Sequence, residues 1–160
     1  MPSSYQGPSR KDKMSATTHS QSSESNLKHD TATVRKVLQS KGADVFALRP
    51  QNTLHEAVEM LRDKRVGALI VKDSEGKLQG ILSERDIVRK LAETPGQTLA
   101  QRVEDVMTTN VETCELDDPL ISVLRKMTDG RFRHMPVIDD GNLVGIVSIG
   151  DVVHYRLNEL

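Results

Sequence analysis

The second half of this 160-residue chain restates the first almost position by position. Val45 matches Val111, Leu54 matches Leu120, Arg65 matches Arg131 and Val71 matches Val137, each pair 66 positions apart. After a hairpin turn that is one residue shorter in the second half, Gly76 matches Gly141, Gly80 matches Gly145, Ser83 matches Ser148 and Asp86 matches Asp151, now 65 apart. A deletion at a turn is where a duplicated unit tolerates one. One unit is too small to cover both faces of its own sheet, so its half-core calls for the other copy. Two related units pack about a pseudo-twofold axis, and matching strand ends then meet in a pair of related clefts.

Local patterns give the parts. Val34, Val37 and Leu38 share one helical face, and Gly42 is placed to end that helix. Residues 44–48 read as a short strand. Thr53-Leu54-His55-Glu56 has the capping-box order, with Leu54, Ala57, Val58 and Leu61 as the buried face behind it. A buried strand over 66–71, a turn at Asp73-Ser74-Glu75-Gly76 and a strand over 78–82 follow. Ser83 then opens a helix that turns Ile87, Val88 and Leu91 inward, and Thr94-Pro95-Gly96 breaks it. The plan restarts with a linking helix through Leu99, Val103 and Val106 and a strand over 111–114. Asp118-Pro119 begins a helix carrying Leu120, Val123, Leu124 and Met127. Strands over 135–138 and 143–147 flank Asp140-Gly141, a favoured hairpin dipeptide, and Ser148 opens the last helix. The expected organisation is a disordered polar tail over 1–31, a first repeat with its N-terminal helix over 32–97, and a second repeat with its linking helix over 98–160.

Composition removes several functions. With 22 basic and 23 acidic residues the formal charge is −1, so no global field recruits nucleic acid. Aromatics at 2% and no Trp leave no base-stacking platform. No apolar run approaches the roughly 18 residues of a membrane span. Cys114 is the sole cysteine, which excludes an internal disulfide and a multi-cysteine metal site and reads as a buried, inert thiol. The tail is Ser-rich but holds a single Arg, Arg10, so a cytoplasmic chain is expected ahead of a mitochondrial-matrix one.

The chemistry sits in a motif that occurs twice. Gly80-Ile81-Leu82-Ser83-Glu84-Arg85-Asp86 and Gly145-Ile146-Val147-Ser148-Ile149-Gly150-Asp151 each deliver a Ser to the mouth of a helix. A hydroxyl and free backbone N–H groups there suit a phosphate oxygen, and the Asp suits a ribose diol. Ser-x-x-Asp is equally the pattern of a capping box that closes its own backbone. Arg85 stands in a first helical turn, where the dipole disfavours a cation unless an anion is near. Arg131-Phe132-Arg133-His134-Met135-Pro136 adds two guanidiniums and an imidazole before a strand. Its counterpart in the first half has Gly67 and Ala68 in place of Arg133 and His134, an asymmetry that points phosphate toward the second-half cleft. Pro136 removes a ladder donor and suits a strand edge open to a ligand.

These doubled motifs, together with Val66-Gly67-Ala68-Leu69-Ile70-Val71 and Arg133-His134-Met135-Pro136-Val137, resemble the cystathionine β-synthase (CBS) domain. The pair resembles a Bateman module of the small stand-alone kind, over about residues 36–157. The resemblance implies an α/β fold of two pseudo-twofold-related β-α-β-β-α repeats with an adenosyl ligand in the inter-repeat cleft: AMP, ADP, ATP, NAD or S-adenosylmethionine. It implies Asp86 and Asp151 at ribose hydroxyls, and Ser83 and Ser148 near phosphate or ribose. Backbone around Val111–Thr113, Met135 and Pro136 would frame adenine, while Arg133, His134 and Arg131 would neutralise phosphate; Arg85 joins the site through its place at the helix mouth. It also implies a homodimer built through helices, to which Leu91 and Met127 contribute, and a regulated partner enzyme.

Catalysis is not expected. Of His19, His29, His55, His134 and His154, two lie in the tail, and no Ser/His or Cys/His pair has a placed third member. No cofactor or metal is required, the adenine nucleotide acting as a regulatory ligand. The competing reading is an adaptor that works without a ligand.

Overall fold

The computed structural model describes residues 32–159, and the tail reading therefore lies outside the described residues. From Thr33 onward the chain is one compact unit. Its elements are α1 (Val34–Lys41), β1 (Ala47–Leu48), α2 (Leu54–Lys64), β2 (Ala68–Lys72), β3 (Leu78–Ser83) and α3 (Glu84–Glu93). A 3₁₀ turn (Val103–Asp105) leads to β4 (Cys114–Glu115), α4 (Leu120–Gly130), β5 (His134–Asp139), β6 (Asn142–Ser148) and α5 (Ile149–Asn158). The strands form two three-stranded sheets, β1-β2-β3 and β4-β5-β6. In each the first pair is parallel and the second antiparallel, with a register shift at the matching positions Val71/Lys72 and Val137/Ile138.

The continuous apolar run of β2 follows from burial on both faces. Leu69, Val71 and Leu82 point to the helices and join Leu54, Ala57, Leu61 and Ile87 in one core. Ala68, Ile70 and Ile81 point the other way, against Leu143 and Ile146 of the second sheet. The second repeat buries Met135, Val137 and Val147 at the positions matching Leu69, Val71 and Leu82. Each such side chain contributes about 1.5–3 kcal/mol of burial. The interface of the repeats is thus a sheet-on-sheet core, as the duplication requires. Asp140 and Gly141 both take positive φ, 52° and 80°, the geometry of a tight hairpin turn.

The lead-in segments cross over. Although α1 precedes the first repeat, Val34 and Arg35 donate their N–H groups to the carbonyls of Asp118 and Leu116, and Leu38 packs on Gly145. The segment ahead of the second repeat in turn lies on the first. The Leu54 and His55 N–H groups, orphans at the start of α2, donate to Gln101 and Leu99. Those carbonyls are then lost to any helix of their own. The expected linking helix is accordingly a single 3₁₀ turn, with Leu99 42% exposed.

Other expectations shift for local reasons. The opening strands are shorter than read, and Val45 packs at the inter-repeat core ahead of β1. On α3 only Ile87 is buried: Val88 is 62% and Leu91 45% exposed, because no element among the described residues covers that side of the helix. Val58 is partly exposed as well. Met127 is fully buried within its repeat and therefore unavailable to a partner. Pro136 lies on the central strand β5, paired with Ile146, and not on a sheet edge.

Candidate functional site

Both Ser-x-x-Asp segments form capping boxes. Ser83 N–H donates to Asp86 Oδ2 at 2.9 Å, and the Asp86 N–H donates to Ser83 Oγ at 3.3 Å. The second repeat repeats this at 2.9 and 3.0 Å through Ser148 and Asp151. Capping, however, uses one carboxylate oxygen. Asp86 Oδ1 takes no hydrogen bond among the described residues and remains an acceptor at the rim of an open cleft.

That first cleft has a volume of about 760 Å³, within the usual range of ligand pockets. It runs from the mouth of α3 (Ser83, Glu84, Arg85, Asp86) to the segment between α4 and β5 (Arg131, Phe132, Arg133, His134), with Val111 and Ser148 also on its wall. Sequence reasoning missed Arg89, Asn110 and Phe132, which line it too, whereas Glu112 lies within the 111–113 segment expected to frame adenine. Arg89 was findable: it stands four residues after Arg85, on the same helical face. Four guanidiniums, of Arg85, Arg89, Arg131 and Arg133, therefore face three carboxylates, of Glu84, Asp86 and Glu112.

Thr113, Met135 and Pro136 lie off this wall, with Met135 and Pro136 buried behind it. Pro136 acts through what it lacks. In the first repeat Ile70 N–H holds the Phe46 carbonyl at 3.0 Å, and Ala47 pairs with Ile70. Pro136, the counterpart of Ile70, has no N–H, and the ladder begins one step later at Cys114 and Val137. No backbone N–H among the described residues reaches the Glu112 carbonyl, so an acceptor stays available on the cleft wall.

A second, smaller cleft of about 240 Å³ occupies the pseudo-symmetric position. It holds Ser148 and Asp151 at the mouth of α5, with Asp44, Val45, Arg65, Gly67 and Ala68 where the first has Asn110, Val111, Arg131, Arg133 and His134. Ser148 and His134 line both. Thus Asp86 and Asp151 belong to different clefts.

His134 sits between them, beside Gly67, where an added Cβ would lie 3.2 Å from both His134 Nε2 and Glu84 Oε1. Burial holds its pKa below the ordinary 6.5, and Arg133 and Lys41 act in the same direction against Asp151 and Glu84. The unfolded chain therefore binds the proton more readily. Stability is expected to be full above about pH 6.5 and to fall as acid passes from there toward the lower folded value. Thermal melts between pH 7 and 5 should show this loss, and His134→Gln should flatten it. Cys114 is buried and its thiol is pushed up to about 12, chiefly by burial, so no thiolate is available near neutrality. His55 and His154 are exposed.

Against known proteins, the family model described as CBS domain matches residues 34–93 and 103–158. The mitochondrial CBS domain-containing protein CBSX3 of Arabidopsis thaliana is 36% identical over 138 residues, covering 81% of this chain and 67% of that protein. The crystal structure of the CBS-domain containing protein ATU1752 from Agrobacterium tumefaciens is 40% identical, with a TM-score of 0.77, over 78% of this chain and 99% of that one. The CBS domain pair of protein MJ0100, solved in complex with 5′-methylthioadenosine and S-adenosyl-L-methionine, is 27% identical with a TM-score of 0.72, over 81% and 99% of the two chains. One match covers the repeat with the first sheet and the other the repeat with the second, and the chain belongs to the CBS domain family as a tandem pair.

Proposed function

We propose that this chain is a non-catalytic sensor that binds a phosphate-bearing adenine nucleotide in the first cleft. One observation carries the reading: a spare carboxylate oxygen, a carbonyl released by Pro136 and four guanidiniums border a single opening of about 760 Å³. Asp86 Oδ1 accepts from the ribose hydroxyls, with Ser83 close by. Val111, Ile81 and the Phe132 ring supply apolar surface for the base, whose amino group donates to the Glu112 carbonyl. Arg85, Arg131, Arg133 and His134 meet phosphate. Thr113 and Met135 support this wall from behind.

Charge selects within the adenosyl class. MJ0100 is a relative crystallised with S-adenosylmethionine, a sulfonium cation. A cleft whose four guanidiniums outnumber its three carboxylates disfavours a cation and attracts polyphosphate. Calorimetric titration with AMP, ADP, ATP, NAD and S-adenosylmethionine is expected to show binding that strengthens with phosphate charge and weakens with salt. Heat from none of them rejects the sensor and leaves a ligand-independent adaptor.

Arg65 and Arg131 both end helices in the left-handed conformation, at φ 56° and 59°, which costs a non-glycine residue about 1 kcal/mol. Arg65→Gly and Arg131→Gly should each raise stability by up to about that amount in urea unfolding. Only Arg131→Gly should also weaken nucleotide binding. An equal loss in both variants would remove Arg131 from the phosphate site.

The exposed apolar side chains of Val88 and Leu91 on α3, and of Val153 and Leu157 on α5, suit a homodimer through helices. The signal then passes to a regulated partner enzyme. No helix among the described residues is long and apolar enough to cross a membrane. We place the module in the cytoplasm, although a relative is named as mitochondrial.

A further inference from the structure

We infer that the second cleft is closed by α1, with Lys41 held on the carboxylate of Asp151, so that each chain takes one nucleotide and takes it in the first cleft. This rests on the sensor reading above and adds its stoichiometry. Lys41 Nζ donates to Asp151 Oδ2 at 2.7 Å, with both side chains less than a third exposed. The same Oδ2 already accepts the Ser148 N–H, so that oxygen is engaged by its cap and by a cation together; Oδ1 takes no hydrogen bond among the described residues, and the difference from Asp86 is the ammonium held beside it.

Lys41 is held by structure and is no chance surface contact. It stands in the last turn of α1, where the dipole favours a cation, and the helix stops at Gly42, whose N–H donates to the Leu38 carbonyl at 2.8 Å. Val34 and Val37 bury the helix, and Leu38 covers Gly145 beside the cleft. An ion pair shielded in this way is weakened less by salt than an open one.

Among the described residues the first cleft has no such plug. Sixty-six positions on, Met107 stands where Lys41 stands, and its thioether packs over Gly80 without a charge for Asp86. The remaining exchanges run the same way. Asp44 replaces Asn110 and Gly67 replaces Arg133, so the second cleft gains a carboxylate and loses a guanidinium, while His134 lines both clefts. Its volume of about 240 Å³ lies below the range that takes a nucleotide.

Equilibrium dialysis of the intact chain with radiolabelled ATP tests the count. Wild type should saturate at one ATP per chain. Lys41→Ala should add a second, weaker site, and adding Asp151→Asn to it should remove that site again while the first persists. Two ATP per chain in wild type, or one in Lys41→Ala, overturns the inference while leaving the sensor reading intact. A second measurement needs no nucleotide: amine acetylation followed by mass spectrometry. Lys41 should react more slowly than exposed Lys77 in wild type, and at a matching rate in Asp151→Asn. Equal rates in wild type overturn the plug even if no ATP binds, whereas absence of ATP binding alone counts against the sensor.

Discussion

Asp86→Asn is expected to weaken ATP binding by about ten- to a hundred-fold, because a hydrogen bond to a charged acceptor contributes about 1.5–3 kcal/mol. The substitution separates the two roles of the side chain. Asn keeps an oxygen for the Ser83 N–H that Asp86 now accepts at 2.9 Å, so the helix cap survives and the melting temperature should stay near wild type. What is lost is the charge that a ribose diol would meet. A 2′-deoxynucleotide provides the control: it should lose affinity on wild type but little further on Asp86→Asn, since the two changes remove one interaction. Unchanged ATP binding by Asp86→Asn would take the residue out of the site and leave its carboxylate a cap only. Calorimetry on the four combinations decides the matter.

The second large effect is on stability. Gly80→Ala places a Cβ 2.7 Å from the Thr108 carbonyl oxygen and 2.8 Å from Met107 Sδ. Thr108 cannot yield easily, since it is bound in both directions to Ile81, at 2.9 and 3.0 Å. Overpacking against fixed backbone costs about 1–3 kcal/mol, which urea unfolding resolves. At the matching position Gly145→Ala meets Leu38 Cδ1 at 2.8 Å, the end of a side chain that can turn. It should cost distinctly less. Equal costs would mean that the crossing segment over Gly80 is no stiffer than a leucine rotamer. The comparison also explains why both motifs begin with Gly: each lies under the lead-in segment that has crossed over from the other repeat.

Much of this was legible from residues alone, and for identifiable reasons. Thr53-Leu54-His55-Glu56, Asp140-Gly141 and the two Ser-x-x-Asp segments are local devices whose geometry depends on four residues or fewer, and each formed as read. The apolar run of β2 stood out because both faces of that strand are covered. The linking helix was misread because apolar spacing says nothing about carbonyls, and those of Leu99 and Gln101 are taken by the start of α2, about 45 residues earlier in the chain. Val88 and Leu91 were misread because the periodicity of a helix marks an apolar face without saying whether this chain or another covers it. At the site, Arg133 and His134 were visible as replacements for Gly67 and Ala68. Lys41 was not, because nothing in a sequence pairs it with a carboxylate 110 residues away.

By itself, then, the sequence determined the duplicated fold, the capped helix mouths and the basic character of one half, since each is written in short-range pattern or in the matching of the repeats. Tertiary structure decided how the two clefts differ. The crossing of α1 onto the second repeat put a lysine on one Asp, the matching segment put a methionine by the other, and the proline on the central strand freed one backbone carbonyl. Those outcomes depend on which distant groups pack within a few ångströms, and that is set by the folded chain as a whole.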